Sequence, residues 1–141
     1  MSLLPTHDNA HRLQHQMLHF QGASFLNLFF QINIRLHIDI VGSTTMSKTL
    51  PVERLATIIQ TFTQEMSLII AAYGGYVLKY VGDSVLAFFP VNLEDKYLPC
   101  ANAVNCARSM IKIMRAGLNP ILNEYDYPEM RVRVGIDVGR T

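Results

Sequence analysis

Charge is scarce in this sequence. Asp, Glu, Lys and Arg make up 16 % of its 141 residues and nearly cancel, leaving a formal net charge of +1. The usual share is about a quarter. Without a basic excess there is no electrostatic case for nucleic acid or an anionic membrane as a partner. Cysteine is scarce too, with only Cys100 and Cys106. Six positions apart on a predicted helix, they are separated by about 600° of rotation and point apart. No disulfide is expected between them, and they read as buried thiols in a reducing, cytoplasmic setting. No stretch approaches the ~20 continuous apolar residues of a membrane helix. The most apolar run, Phe25 to Ile34, is interrupted by Asn27, Gln31 and Asn33. There is no signal-peptide pattern, internal repeat or low-complexity tract. What the chain does have is apolar residues, 50 % by count. At this length that suits one domain with a large buried surface, or one that buries more on dimerisation.

Residues 1–31 differ from the rest and read as a leader or linker. His7, His11, His15 and His19 recur every four residues, so neighbouring pairs share a helical face. Such a pair can bind Zn²⁺, but no carboxylate or Cys joins the row in phase, which favours a solvent-facing polar stripe. From Ile32 the pattern becomes regular. Leu36, Ile38 and Ile40 alternate with His37, Asp39 and Val41, predicting a strand over 32–41 with one apolar face. Pro51 opens a helix whose stripe is Leu55, Ile58, Ile59, Phe62, Met66, Ile69, Ile70 and Tyr73, and Gly74-Gly75 stops it. A hairpin follows to Pro90. A second helix is predicted from about Asp95 to Arg115, with an apolar stripe of Ala103, Val104, Ala107, Met110, Ile111 and Met114. Gly117 stands where it should stop, and residues 119–129 read as loop. Met130 to Val138 is a strand with Met130, Val132, Val134, Ile136 and Val138 on one side. Its Asp137 reads as a satisfied or exposed side chain. The order β-α-β-β-α-β predicts an α+β, ferredoxin-like core: an antiparallel sheet covered by two helices.

Two carboxylates stand out. In GGYVLKYVGDSVLAFF, two short strands meet at Val81-Gly82-Asp83, a turn that Gly82 and Asp83 favour. Simple alternation puts Val77, Lys79, Val81 and Asp83 on one face, so a Lys and an Asp share a surface in an otherwise apolar stretch. Upstream, RLHIDIVGSTT ends a strand with Asp39, away from the Leu/Ile row, and passes into the small, hydroxyl-rich Gly42-Ser43-Thr44-Thr45. An Asp there offers hard oxygen ligands to Mg²⁺, and the amides that follow suit phosphate oxygens.

The sequence IDIVGST, a helix, GGYVLKYVGDSVLAFF and then RVRVGIDVG resembles the catalytic domain of class III adenylate/guanylate cyclases over about Leu36 to Gly139. The resemblance implies a fold of the same βαββαβ kind. It implies that Asp39 and Asp83 are the metal-binding aspartates, with the Ile40 carbonyl as a further ligand for two Mg²⁺ or Mn²⁺ ions. It also implies that Ile40, Val41, Gly42, Ser43 and Thr44 lie against the triphosphate. Lys79 falls at the base-selecting position. Adenine N1 accepts a hydrogen bond and suits an ammonium donor, so ATP is the expected substrate, with cyclic AMP and pyrophosphate as products. Lys79 would face a site completed by the other chain, which implies a homodimer or paired cyclase chains with sites at the interface.

Two departures qualify the match. Ser43 stands where many members have Phe. The second adenine contact, and the Asn and Arg that bind ribose and stabilise the transition state, lie further along in the family than Thr141. The residues at hand therefore correspond to the N-terminal part of the domain (32–141) and are expected to be inactive alone. The alternatives are a non-catalytic nucleotide-binding or regulatory cyclase-like domain, and a ferredoxin-like interaction module. The hairpin signature of diguanylate cyclases is absent; Gly74-Gly75-Tyr76 is not it.

Overall fold

The computed structural model describes residues 32–91 and 94–140. The predicted leader, with its row of histidines, lies outside the described residues. In chain order the elements are β1 (Ile32–Val41), α1 (Ser43–Thr49), α2 (Val52–Ala72), β2 (Tyr76–Val81), β3 (Ser84–Pro90), α3 (Tyr97–Ile113), a π-helical turn (Met114–Leu118), α4 (Asn119–Glu124) and β4 (Arg131–Arg140). The sheet order is β2-β3-β1-β4, with every neighbouring pair antiparallel. This is the expected ferredoxin-like α+β core.

The core forms on one face of the sheet because β1 alternates. Ile34, Leu36, Ile38 and Ile40 are buried, joined by Val85, Ala87 and Phe89 of β3. Over them α2 lays Ile58, Phe62, Met66, Ile69 and Ile70, and α3 lays Ala103, Cys106, Ala107 and Met110. Each large side chain taken fully out of water contributes roughly 1.5–3 kcal/mol. By length and composition α2 could cross a membrane, which amends the expectation that no segment comes near. One of its faces, with Ile58, Phe62, Met66, Ile69 and Ile70, closes on the sheet.

Three expectations are corrected. On α3 the buried stripe is Ala103, Cys106, Ala107, Ser109 and Met110, while Val104 and Ile111 are exposed. The helix is rotated so that its small residues approach the sheet. Cys106 is accordingly buried, but Cys100 is exposed rather than buried. Helical structure does not end near Gly117, nor is 119–124 a loop. Met114, the C-cap of α3, keeps right-handed helical angles, and the chain runs through the π turn into α4, with a proline in the first turn of α4. Proline removes a donor and crowds the carbonyl four residues back. The widened turn lies where that disturbance falls.

A buried side chain joins this helical run to β4. Asn119 Nδ2 donates to the Met130 carbonyl at 2.9 Å, and Met130 N–H donates to Asn119 Oδ1 at 2.8 Å. Asn119 and Met130 are both buried, so neither group has ready recourse to water. Asn119→Ala is expected to lower the unfolding free energy by about 2 kcal/mol, the cost of leaving buried groups unpaired. Chemical denaturation measures it, and an unchanged midpoint would show that the clamp contributes nothing. The two thiols should also separate. Burial pushes the Cys106 thiol up to about 12, while Cys100 is open to solvent. A thiol reagent at pH 8 should label one cysteine in the native protein and two in denaturant.

Candidate functional site

The other face of the sheet carries the polar residues of β1. Arg35, His37 and Asp39 project there, opposite the Leu/Ile row. The register extends each into a row. Asp39 lies between Ser84 of β3 and Arg133 of β4; His37 between Leu86 and Gly135; Arg35 between Phe88 and Asp137. Phe88 is in turn stacked on Tyr76 of β2, with ring centroids 5.5 Å apart.

β2 departs from simple alternation. The ladder skips between Val77 and Lys79: Val77 pairs with Ala87, and Lys79 with Leu86. A bulge of this kind re-aims side chains. Val77 packs on the core, whereas Lys79 joins the row of Leu86, His37 and Gly135 on the open face. The expectation that Val77 and Lys79 share a face is thus wrong, because one extra residue inverts the alternation. Tyr80 turns to the helix side, where its hydroxyl lies 2.7 Å from Ser67 Oγ of α2.

Asp39 and Asp83 are brought to the same end of the sheet. Asp39 pairs with Ser84, and Asp83 immediately precedes Ser84 in the hairpin turn. Gly82 makes that turn with φ 58°, a backbone conformation that favours glycine and that two-residue hairpins use. Asp83 Oδ2 is buried and has no hydrogen-bond partner, a situation that costs about 1–3 kcal/mol until something charged or polar meets it. Asp39 is engaged: Arg133 Nη2 donates to Oδ2 at 2.9 Å and Nε to Oδ1 at 3.4 Å. The side chain of Ile40 belongs to the core, so only its backbone carbonyl could face a ligand. Val41 and Thr44 are exposed, and Ser43 is half-buried. Gly42, with φ 81°, is the N-cap of α1. The anticipated loop is therefore a helix from Ser43 onward. No side chain caps it, and first-turn amides have no intrahelical acceptor.

These residues suit a hard divalent cation. Asp83 supplies an unpaired oxygen, and Asp39 supplies a second carboxylate once Arg133, whose side chain is 70 % exposed, swings aside. Among the described residues no group of three or more His, Cys, Asp or Glu could hold a metal by itself. Two carboxylates need further oxygens, from a carbonyl or from a substrate's phosphates.

Arg133 escaped the reading of the sequence. Its alternation on β4 was legible, but its place opposite Asp39 depends on strand register. A second ion pair, Arg35 Nη2 to Asp137 Oδ2 at 2.7 Å, bears out the reading of Asp137 as satisfied. Hydrogen bonding to Arg35 holds the Asp137 carboxyl below its usual range. Between the two pairs, the His37 ring lies over Gly135.

A four-stranded antiparallel sheet with helices on one face and two aspartates at one end defines the class: a ferredoxin-like α+β domain with an acidic sheet end. Residues 31–141 match the family described as the adenylate and guanylate cyclase catalytic domain, and the chain belongs to that family. It is 29 % identical over 114 residues to a cytidylate cyclase from Escherichia coli, a match covering 79 % of this chain and 25 % of the relative. The crystal structure of the adenylyl cyclase CyaB from P. aeruginosa superposes with a TM-score of 0.72 at 29 % identity, covering 77 % of this chain and 56 % of that one. The guanylyl cyclase Cya2 shares the fold, with a TM-score of 0.68 at 23 % identity over 77 % of this chain and 54 % of that one. The chain thus spans about a quarter of the curated relative and about half of the solved cyclase chains.

Gly135 is where the open face can be probed sterically. A Cβ there would fall 2.1 Å from His37 Cε1, so the imidazole must move. His37 is exposed and can swing away. Gly135→Ala alone should therefore cost about 1 kcal/mol or less, and that cost should vanish in a His37→Ala background. Full additivity in the double-mutant cycle would show that the two residues do not touch.

Proposed function

We propose that this chain contributes to a nucleotide cyclase that converts ATP to cyclic AMP and pyrophosphate. The observation that carries the reading is Asp39 on β1 with Asp83 in the hairpin turn beside its partner Ser84, Asp83 having a buried oxygen unpaired, in a chain of the cyclase family. In the reaction the ribose 3′-oxygen bonds to the α-phosphorus. The bond from that phosphorus to the bridging oxygen breaks, pyrophosphate leaves, and the hydroxyl proton passes to water. Asp39, Asp83 and the Ile40 carbonyl are assigned to two Mg²⁺ or Mn²⁺ ions. Such ions favour the deprotonated hydroxyl and neutralise phosphate charge. Residues 40–44 are assigned to the triphosphate, which their backbone amides would orient. Arg133 would release Asp39 when the site is loaded.

Lys79 is assigned to the base. An ammonium donates to the ring nitrogen of adenine and not to the protonated N1 of guanine. Because family resemblance places Lys79 of one copy at the site carrying the aspartates of the other, the active assembly is proposed as a dimer. The non-canonical dimeric guanylyl cyclase domain of a fungal RhoGC fusion protein has a related fold.

A second substrate is favoured by one finding. Curated relatives are named cytidylate cyclases, and cytosine N3, like adenine N1, is an acceptor. Lys79 therefore separates ATP and CTP from GTP and UTP without dividing the first two. The test is cyclic-product release from each of the four triphosphates with Mg²⁺ or Mn²⁺, using the protein that carries this chain. ATP should be turned over fastest, and Asp39→Asn should abolish turnover. Lys79→Glu should erode discrimination against GTP by about a hundredfold or more. Fastest turnover of CTP would select the second substrate, and no Asp39-dependent product from any triphosphate would overturn the reading. Residues 1–141 correspond to about half of the solved cyclase chains and alone should give no product.

A further inference from the structure

A second polar constellation lies across the sheet from the aspartates, on the outer side of α3. A groove of about 600 Å³ runs along this helix into the π turn, and its polar lining is Tyr73, Asn105, Arg108, Ser109, Lys112 and Arg115. The three cations follow one another at four- and three-residue spacing, so they form one stripe. None of the described residues lining the groove carries a carboxylate. Like charges at this spacing repel and weaken a helix, so the stripe does not serve local stability. Nor does it neutralise a helix end, because the helical run continues from Tyr97 through the π turn to Glu124. The floor of the groove is fixed. Ser109 is buried, and its hydroxyl meets the Tyr73 hydroxyl at 2.5 Å, joining α3 to the end of α2. Asn105, one turn before the cations, adds an amide.

We propose that this groove is a binding site for a compact, multiply charged phosphate anion, separate from the open-face site. Two guanidinium forks suit bidentate phosphate contacts, and an ammonium adds a point charge. The volume is that of a small-molecule pocket. The chain as a whole has a formal charge of only +1, so there is no extended basic field of the kind that holds a nucleic acid. A ligand here would touch the π turn that leads through α4 and the Asn119 clamp to β4, whose Arg133 engages Asp39.

The probe is inorganic triphosphate, titrated by calorimetry into the full chain in EDTA, so that metal-dependent binding at the aspartates does not contribute. Saturable 1:1 binding is expected, weakening as salt is raised. Arg108→Gln and Arg115→Gln should each weaken it by about tenfold or more, the size of a charge-assisted hydrogen bond. Lys79→Ala should leave it unchanged. Arg108 and Arg115 are exposed, so unchanged melting temperatures are expected and would separate lost binding from lost folding. The proposal fails if no saturable binding occurs at millimolar triphosphate, or if the glutamine variants bind as the parent does. It also fails if Lys79→Ala abolishes binding, or if the groove takes an acidic peptide and not triphosphate.

Discussion

Everything in this domain depends on β1 being hydrogen-bonded along both edges. β3 runs against one side and β4 against the other, so β1 can neither slip nor rotate without breaking two ladders. With a side-chain period of two, a shift of one residue would put Arg35, His37 and Asp39 into the core and Ile34, Leu36 and Ile38 into water. The same apolar row that drives folding therefore fixes which way Asp39 points. Core and candidate site are two sides of one strand.

The open face combines complementary charge with one buried aromatic, Phe88, stacked on Tyr76. Its two ion pairs, Arg35 with Asp137 and Arg133 with Asp39, are solvent-accessible, and pairs of this kind contribute about 0–1 kcal/mol. Their value is positional: they hold four side chains in register across β1 and β4, with the His37 ring lying over the strand at Gly135. Asp83 differs, with a buried oxygen that nothing in the described fold satisfies. Such a local penalty is tolerated when the surrounding structure over-determines it, and functional sites are where it is expected. In a member of the cyclase family, an unpaired carboxylate oxygen next to the strand that carries Asp39 fits a cation.

The helix side follows a different logic. α3 meets the sheet through small residues, Ala103, Cys106 and Ala107, so it approaches closely and leaves its longer side chains outside. Val104 and Ile111 are thereby exposed, and Arg108, Lys112 and Arg115 line one groove. The π turn keeps the helical run continuous up to Asn119, whose paired hydrogen bonds to Met130 deliver the chain to the start of β4. Through β4 this side reaches Arg133, and hence Asp39, by packed and hydrogen-bonded elements.

Much of this was legible in the residues themselves. Strong periodicity marked β1, α2 and β4, and turn residues marked the hairpin, because alternation, 3.6-residue repeats and turn chemistry are local properties of the chain. The glycine at the hairpin turn and Asp39 at a strand's end were likewise readable from local chemistry, and the motif pair pointed to the cyclase family. Tertiary structure decided what depends on partners distant in sequence. The bulge at Leu78, which moves Lys79 to the open face, exists only against β3. Arg133 meets Asp39, 94 positions away, only through the β1–β4 register. Helix continues past Gly117 to Asn119, whose hydrogen bonds to Met130 reach across the intervening turn. Each of these is a choice among locally similar conformations, and long-range pairing, not propensity, supplies the free energy that selects one.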